Sequence, residues 1–426
     1  MRRRLPVALL AVIVLTATSL VRHASTAVPP PLIGANYTHY AYPNCGLDDG
    51  IIAHYHEPGV RRLVRAQLAA MRAAGVQTLR LLLWHMTDAT GQTWGIVSSG
   101  GGWLAEPYRS NLIRYLSDVR KAGFVQLTLV FGPEADNAPL GGFYNPAKFD
   151  ENWQFVRDVR PLLKRYGPAS TRVDLLNEGA PPSWESATNL ALEKDYDTRT
   201  WSNYVHTFGG ADATISSVGA DGPYDTADRL QNLVDALRAS GKPFPRWFDV
   251  HPPYSYDGTL SVLQAVDATL SADGLSQPLV IGEEAYNDEP VARAIKEFIA
   301  TSSRRVLEVM EWPLSASGPC SDVPVSPPFR VDAYITTLTG APAPSPTPSP
   351  LRCRRSRLST PPSVPAARSR FAPLPVVASP RSTPESFASW YGTAPQSRTS
   401  TSSARTWPER RGSDFEGRLS GGSTSV

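Results

Sequence analysis

The strongest constraint in this sequence is a repeat of organisation. From about residue 31, a short apolar, β-branched run is followed by a loop rich in Gly, Pro and aromatics, then by an amphipathic stretch, over and over. Leu32–Asn36, Thr78–Trp84, Val125–Phe131, Arg172–Asn177, Ala213–Val218, Phe248–His251, Leu279–Glu283 and Val306–Trp312 read as strands. Helical spacing follows at Val60–Ala74, Tyr108–Ala122, Trp153–Tyr166, within 185–207, and at Thr226–Ser240, Thr259–Ala272, Val291–Thr301 and Val331–Leu338. Gly75 and Gly123 supply stops. Eight strand–helix units predict an α/β chain closed into a (β/α)8 TIM barrel, with its active site at the C-terminal ends of the strands. An open doubly wound sheet usually shows a Gly-rich phosphate loop after its first strand, and Gly34-Ala35-Asn36-Tyr37-Thr38 is not one. Gly100-Gly101-Gly102 lacks the strand-to-helix setting of a nucleotide site.

Charge divides the chain into three. The formal net charge of +3 splits into +4 over residues 1–27, +8 over residues 341–426 and therefore −9 over residues 28–340. An acidic body argues against a nucleic-acid partner. Residues 1–27 read as a secretory signal: a basic start at Arg2-Arg3-Arg4, an apolar stretch from Val7 to Val21, and small residues at Ser25-Thr26-Ala27. That stretch is shorter than the roughly 20 residues a bilayer span needs, so cleavage, export and no stable membrane insertion are expected. Residues 28–340 form the barrel domain. Residues 341–426 are dense in Pro, Ser and Arg and lack Lys, which reads as a disordered tail, either a linker or a basic segment adhering to acidic cell-surface polymer. Such bias also arises from a shifted reading frame in GC-rich DNA, which resequencing settles.

Two acids end predicted strands. Glu178 closes Val173-Asp174-Leu175-Leu176-Asn177-Glu178, and Glu283 closes Leu279-Val280-Ile281-Gly282-Glu283. On a barrel both look into one mouth. A facing pair of carboxyl groups is what glycosidic cleavage requires, one protonating the leaving oxygen and the other attacking or activating water. Strand alternation lets only one of Glu283 and Glu284 face the site. Glu283 is chosen because it shares the parity of Leu279 and Ile281, which leaves Glu284 toward the helices or the rim. A gap of about 5–5.5 Å between the two carboxyls predicts retention, and a wider one inversion.

These residues resemble the cellulase-like clan A of retaining (β/α)8 glycoside hydrolases. The matching positions are Leu176-Asn177-Glu178, Ile281-Gly282-Glu283, Leu79-Arg80, Asp249-Val250-His251 with Tyr254, and Trp312. The resemblance spans roughly residues 31–340. It implies Glu178 as acid/base, Glu283 as nucleophile, Arg80 positioning the nucleophile, Asn177 binding a sugar 2-hydroxyl, His251 and Tyr254 flanking the carboxylates, and Trp312 as the floor of the first subsite. It also implies a β-linked oligo- or polysaccharide substrate and no cofactor. Three positions depart from the clan pattern. Gly179 stands where Pro is frequent, His251-Pro252-Pro253-Tyr254 has one extra residue, and Phe131-Gly132-Pro133 offers no His.

Cys45 follows strand one and Cys320 follows strand eight, neighbours at barrel closure, so in an exported protein they are expected to form a disulfide. Cys353 has no evident partner. Trp84, Trp94, Trp103, Trp184, Tyr254, Tyr256, Tyr286 and Trp312 fall at strand ends or in loops, whereas Trp153, Trp201 and Trp247 suit packing. His54-Tyr55-His56-Glu57 raises a metal-dependent hydrolase, but it lies beyond the first strand near a helix start, so a surface or capping role and no metal are expected. A non-catalytic carbohydrate-binding barrel is the competitor from another class.

Overall fold

The computed structural model describes residues 29–41, 50–89, 95–139, 145–218, 222–315, 323–324 and 327–344. All belong to one unit, Met1–Cys353. The expected signal, Cys45, Cys320, Cys353, Trp94 and tail residues 345–426 lie outside the described residues.

In chain order the elements are β1 (Leu32–Asn36), α1 (Ile51–His54), α2 (Pro58–Ala73), β2 (Thr78–Met86), β3 (Val97–Ser98), α3 (Tyr108–Ala122), β4 (Gln126–Pro133), α4 (Phe149–Tyr166), β5 (Ser170–Asp174), α5 (Ala187–Phe208), β6 (Ala213–Thr214), β7 (Ser216–Val218), α6 (Pro223–Ala239), β8 (Phe248–His251), α7 (Tyr256–Ala272), β9 (Leu279–Glu284), α8 (Glu289–Thr301), β10 (Val306–Glu311), β11 (Leu314–Ser315), β12 (Val323–Pro324) and α9 (Asp332–Thr339). Apart from the small antiparallel pair β11–β12, the strands pair in parallel in the order β6-β5-β4-β2-β1-β10-β9-β8-β7, with β3 beside β2. Only Ile215 separates β6 from β7. The two segments therefore act as one interrupted strand, with Ala213–Thr214 on β5 and Ser216–Val218 on β8, and the ring closes as a (β/α)8 barrel.

Strand alternation sorts side chains into two layers. On β2, Leu79, Leu81 and Leu83 face the helices and join one core with Val60, Val64, Leu68 and Met71 of α2. Those four α2 positions recur at helical spacing, so a single apolar stripe is buried, and each fully buried aliphatic contributes about 1.5–3 kcal/mol. α2 stops before Gly75, whose φ of 96° is costly for any residue with a Cβ, and whose Cβ would meet Ile335 Cδ1 at 2.5 Å. Inside the barrel, Leu82, Val130 and Trp312 cluster toward the mouth, while Trp247, Val280 and Met310 form a second group. Below them Glu308 pairs with Arg172 and accepts from Gln126 Nε2, and Arg172 lies over the Trp247 ring at 4.5 Å. Among the described residues no helix is long and apolar enough to cross a membrane.

Most expected bounds shift by one to four residues, and two strands depart in kind. The fourth predicted strand, Arg172–Asn177, is displaced: β5 runs Ser170–Asp174, and the chain leaves the ladder ahead of a left-handed turn at Glu178 with φ 52°. The fifth was expected to be continuous and is interrupted at Ile215.

Candidate active site

Arg80 organises the mouth. It sits on the inward face of β2, fully buried, where an unpaired guanidinium would be prohibitive. Its Nη1 donates to Asn36 Oδ1 at 3.0 Å and to Glu283 Oε1 at 2.5 Å, and its Nη2 donates to Asp174 Oδ2 at 3.1 Å and to Asn177 Oδ1 at 2.7 Å. Burial alone would lower its pKa, but the carboxyls of Glu283, Asp249 and Asp174 more than offset this and raise it. Arg80 is thus a fixed cation tying β1, β2, β5 and β9 together. Asn36 is held in turn by donating to the carbonyls of Gly282 at 2.8 Å and Glu311 at 3.1 Å.

Glu178 reaches the same cavity by another route. Its N–H donates to Ser216 Oγ at 2.8 Å, and the Asn177 N–H donates to the Phe131 carbonyl at 3.0 Å. These bonds hold the turn in which Glu178 adopts its positive φ. A non-glycine residue held this way costs on the order of 1–3 kcal/mol, and such strain recurs at functional sites. The Glu178 carboxyl meets His251 Nδ1 at 3.1 Å and is 37% exposed, whereas that of Glu283 is 8% exposed. His251 Nδ1 lies 3.7 Å from Glu283 Oε1, so the ring stands between the two acids. Burial pushes His251 down to about 4, which leaves it neutral over most of the pH range.

Glu283 enters the cavity for a different reason from the one expected. Leu279 and Ile281 face the helix layer, in the same core as Val250 and Phe248. Strict alternation from them would turn Glu283 outward. The register between β9 and β10 slips instead: Ile281 pairs with Val309, and Glu284 pairs with Glu311. β9 thus carries one extra residue opposite Met310, a bulge that brings both Gly282 and Glu283 inward. Glu284 points outward, accepting from Thr259 Oγ1 of α7 at 3.2 Å. Gly282 allows a close approach, since a Cβ there would lie 2.4 Å from Asp249 Oδ1 and 2.8 Å from His251 Nε2.

Burial raises the pKa of both acids. Arg80 opposes the rise at each but donates a hydrogen bond only to Glu283. A proton shared between them therefore belongs on Glu178, and the negative charge on Glu283. One oxygen of each carboxyl and His251 Nδ1 all lie within 4.8 Å of one another, a spacing a metal ion could also bridge. The donor set does not suit one, because Arg80 occupies Glu283 Oε1 with a fixed positive charge.

Of the other expected residues, Asn177 joins the cluster through Arg80. Trp312 is buried against Leu82, Val130 and Trp84 inside the mouth, and its backbone N–H donates to the Glu284 carbonyl at 2.6 Å. Tyr254 lies in the loop after β8, 44% exposed. His54 ends α1 and meets Glu57 at 2.9 Å, on the outside of the barrel. Sequence reasoning missed Asn36, Asp174 and Ser216. Their signal is a polar residue at inward parity in an apolar strand. It also missed Glu134, just past β4, which burial pushes up to about 7.

No protein-family model and no curated protein matches the chain. Among solved structures it is similar to an exo-β-1,4-mannosidase from Opitutaceae bacterium strain TAV5, at 14% identity and TM-score 0.47, covering 73% of this chain and 59% of the mannosidase. The match thus spans less than two thirds of that protein. A broad-specificity endoglucanase from Clostridium acetobutylicum gives 15% identity and TM-score 0.44, covering 72% and 96%. A Bacteroides ovatus xyloglucanase gives 13% and 0.43, covering 72% and 74%.

Proposed function

We propose that the barrel is an exported retaining glycoside hydrolase acting on β-linked oligo- or polysaccharides, with Glu178 as acid/base and Glu283 as nucleophile. The observation that carries this reading is the facing pair itself, with oxygens of Glu178 and Glu283 within 4.8 Å of each other across the barrel mouth. That closeness supports direct attack, the short spacing of a retaining pair, over the wider separation of about 6.5–9.5 Å that an inverting pair uses.

The Glu178 carboxyl gives its proton to the glycosidic oxygen as the Glu283 carboxylate attacks the anomeric carbon. The bond to the leaving sugar breaks and a glycosyl ester on Glu283 forms. Glu178, now ionised, takes a proton from water, whose oxygen attacks the same carbon and releases Glu283. Arg80 keeps Glu283 charged and aimed, and neutral His251 keeps Glu178 in place. Asn177, anchored on Arg80, is set to meet a sugar hydroxyl, and Trp312 offers a ring to the sugar face. The β-linkage and the export rest on the sequence motifs and on residues 1–27.

The test is hydrolysis of aryl β-glycosides and of soluble β-glucans, mannans and xylans by the full chain beside Glu283→Gln. Turnover lost in the variant and indifferent to chelator supports the proposal. Turnover abolished by chelator would move the assignment to a metal held by Glu178, His251 and Glu283. Sugar binding without turnover in the wild type would make the barrel a binding module.

A further inference from the structure

Residues 28–340 carry a formal charge of −9, yet one part of the helix ring has the opposite sign. Positions 58, 61, 62 and 65 of α2 share a side, because residues three and four apart are neighbours on a helix. With His56 and with Arg114 of α3, Pro58, Arg61, Arg62 and Arg65 line a hollow of ≈ 300 Å³. Arg61 is already committed, its Nε donating to Asp118 Oδ2 at 2.9 Å. Arg62, Arg65 and Arg114 are exposed and have no hydrogen bond or ion pair among the described residues. Three unneutralised guanidiniums around one hollow repel one another, a cost that a bound anion removes. Glu57, the N-cap of α2, makes no side-chain cap and is engaged with His54 Nδ1 at 2.9 Å.

Guanidinium forks suit oxyanions, each offering two parallel N–H donors. Forks arriving from two helices match the divergent oxygens of a tetrahedral group better than one planar carboxylate. The position of the hollow also matters. In a (β/α)8 barrel each helix begins at the end where its strand finishes, so the first turns of α2 stand at the mouth end of the barrel flank.

We propose that this hollow docks the sulfate or phosphate ester groups of an anionic polysaccharide, holding the polymer beside the mouth. The site is open and shallow, which suits a group carried on a chain rather than a free ion. It is separate from the catalytic cluster, and its test reads binding, so it stands or fails apart from the assignment of Glu178 and Glu283.

Arginine-selective modification with phenylglyoxal, mapped by peptide mass spectrometry on the full chain, localises any protection. Dextran sulfate should shield Arg62, Arg65 and Arg114 while leaving Arg157, Arg246 and Arg293, exposed elsewhere on the barrel, as reactive as with neutral dextran. The variant R62Q/R65Q/R114Q should bind dextran sulfate about tenfold more weakly or worse, whereas R157Q/R246Q/R293Q, of equal charge, should stay within about twofold of wild type. Protection absent, or spread evenly over all six arginines, would overturn the site. Equal protection by inorganic sulfate at matched sulfate concentration would overturn the polymer assignment in favour of a free-ion site.

Discussion

Arg80 Nη1 lies 2.5 Å from Glu283 Oε1, and the same guanidinium reaches Asp174 and Asn177 through Nη2. One planar cation thus sets the charge of Glu283, the proposed nucleophile, and the position of Asn177, the neighbour of the proposed acid Glu178. Lysine carries the charge but cannot make four directed contacts. Arg80→Lys is expected to lower kcat by about 10²-fold or more, with a smaller effect on KM, and to lower thermal stability as buried carboxyls lose partners. Steady-state kinetics beside a melting curve separate the two effects. An unchanged kcat would remove Arg80 from the mechanism.

The two acids predict the pH profile. Burial raises both carboxyls, and Arg80 bonds only Glu283, so the acid limb of kcat/KM belongs to Glu283 taking up a proton and the alkaline limb to Glu178 losing one. His251, held down to about 4, contributes no limb near neutrality. Glu178→Gln should lower kcat by about 10²–10⁴-fold on substrates with poor leaving groups and abolish the alkaline limb. An alkaline limb that persists in this variant would assign it to another group.

Gly282 is a steric test of the same cluster. A methyl group there meets Asp249 Oδ1 at 2.4 Å and His251 Nε2 at 2.8 Å, so Gly282→Ala must displace both. Overpacking of this kind costs about 1–3 kcal/mol. The expected result is a folded protein with a lowered melting temperature and strongly reduced kcat, read by circular dichroism and turnover. Full activity would show that His251 need not sit against Glu178.

The eight-unit repeat made the barrel legible, and β1, β8 and α3 keep their predicted bounds, because apolar runs between turn residues leave little choice. Glu178 and Glu283 were legible as polar endings to apolar strands. The route by which Glu283 enters was not. Alternation from Leu279 and Ile281 sends it outward, and only the β9 bulge reverses that, a slip of register that appears when β9 is laid against β10. The left-handed turn at Glu178 was hidden for a similar reason, since it depends on Ser216 and Phe131 from other strands. Asn36 and Asp174 carry only the signal of polar residues at inward parity, and their part becomes plain when they are placed around Arg80.

Glu134 predicts a pH dependence of stability independent of turnover. Burial raises its carboxyl from 4.5 to about 7. Between those values the folded chain holds a proton that the unfolded chain releases, so this contribution is complete below pH 4.5 and is lost as pH rises through about 7. Urea midpoints across that window should fall with rising pH in the wild type and fall less in Glu134→Gln. Identical slopes would show that Glu134 titrates near its ordinary value.

Under the proposed mechanism a glycosyl ester forms on Glu283. Incubation with 2-deoxy-2-fluoro β-glycosides bearing a good leaving group, over the gluco, manno and xylo series, slows the release of such an ester so that intact-mass and peptide mapping can find it. One fluoroglycosyl adduct is expected on the peptide carrying Glu283, lost in Glu283→Gln. An adduct on another residue, or turnover of the parent glycosides with inverted configuration and no adduct, would contradict it.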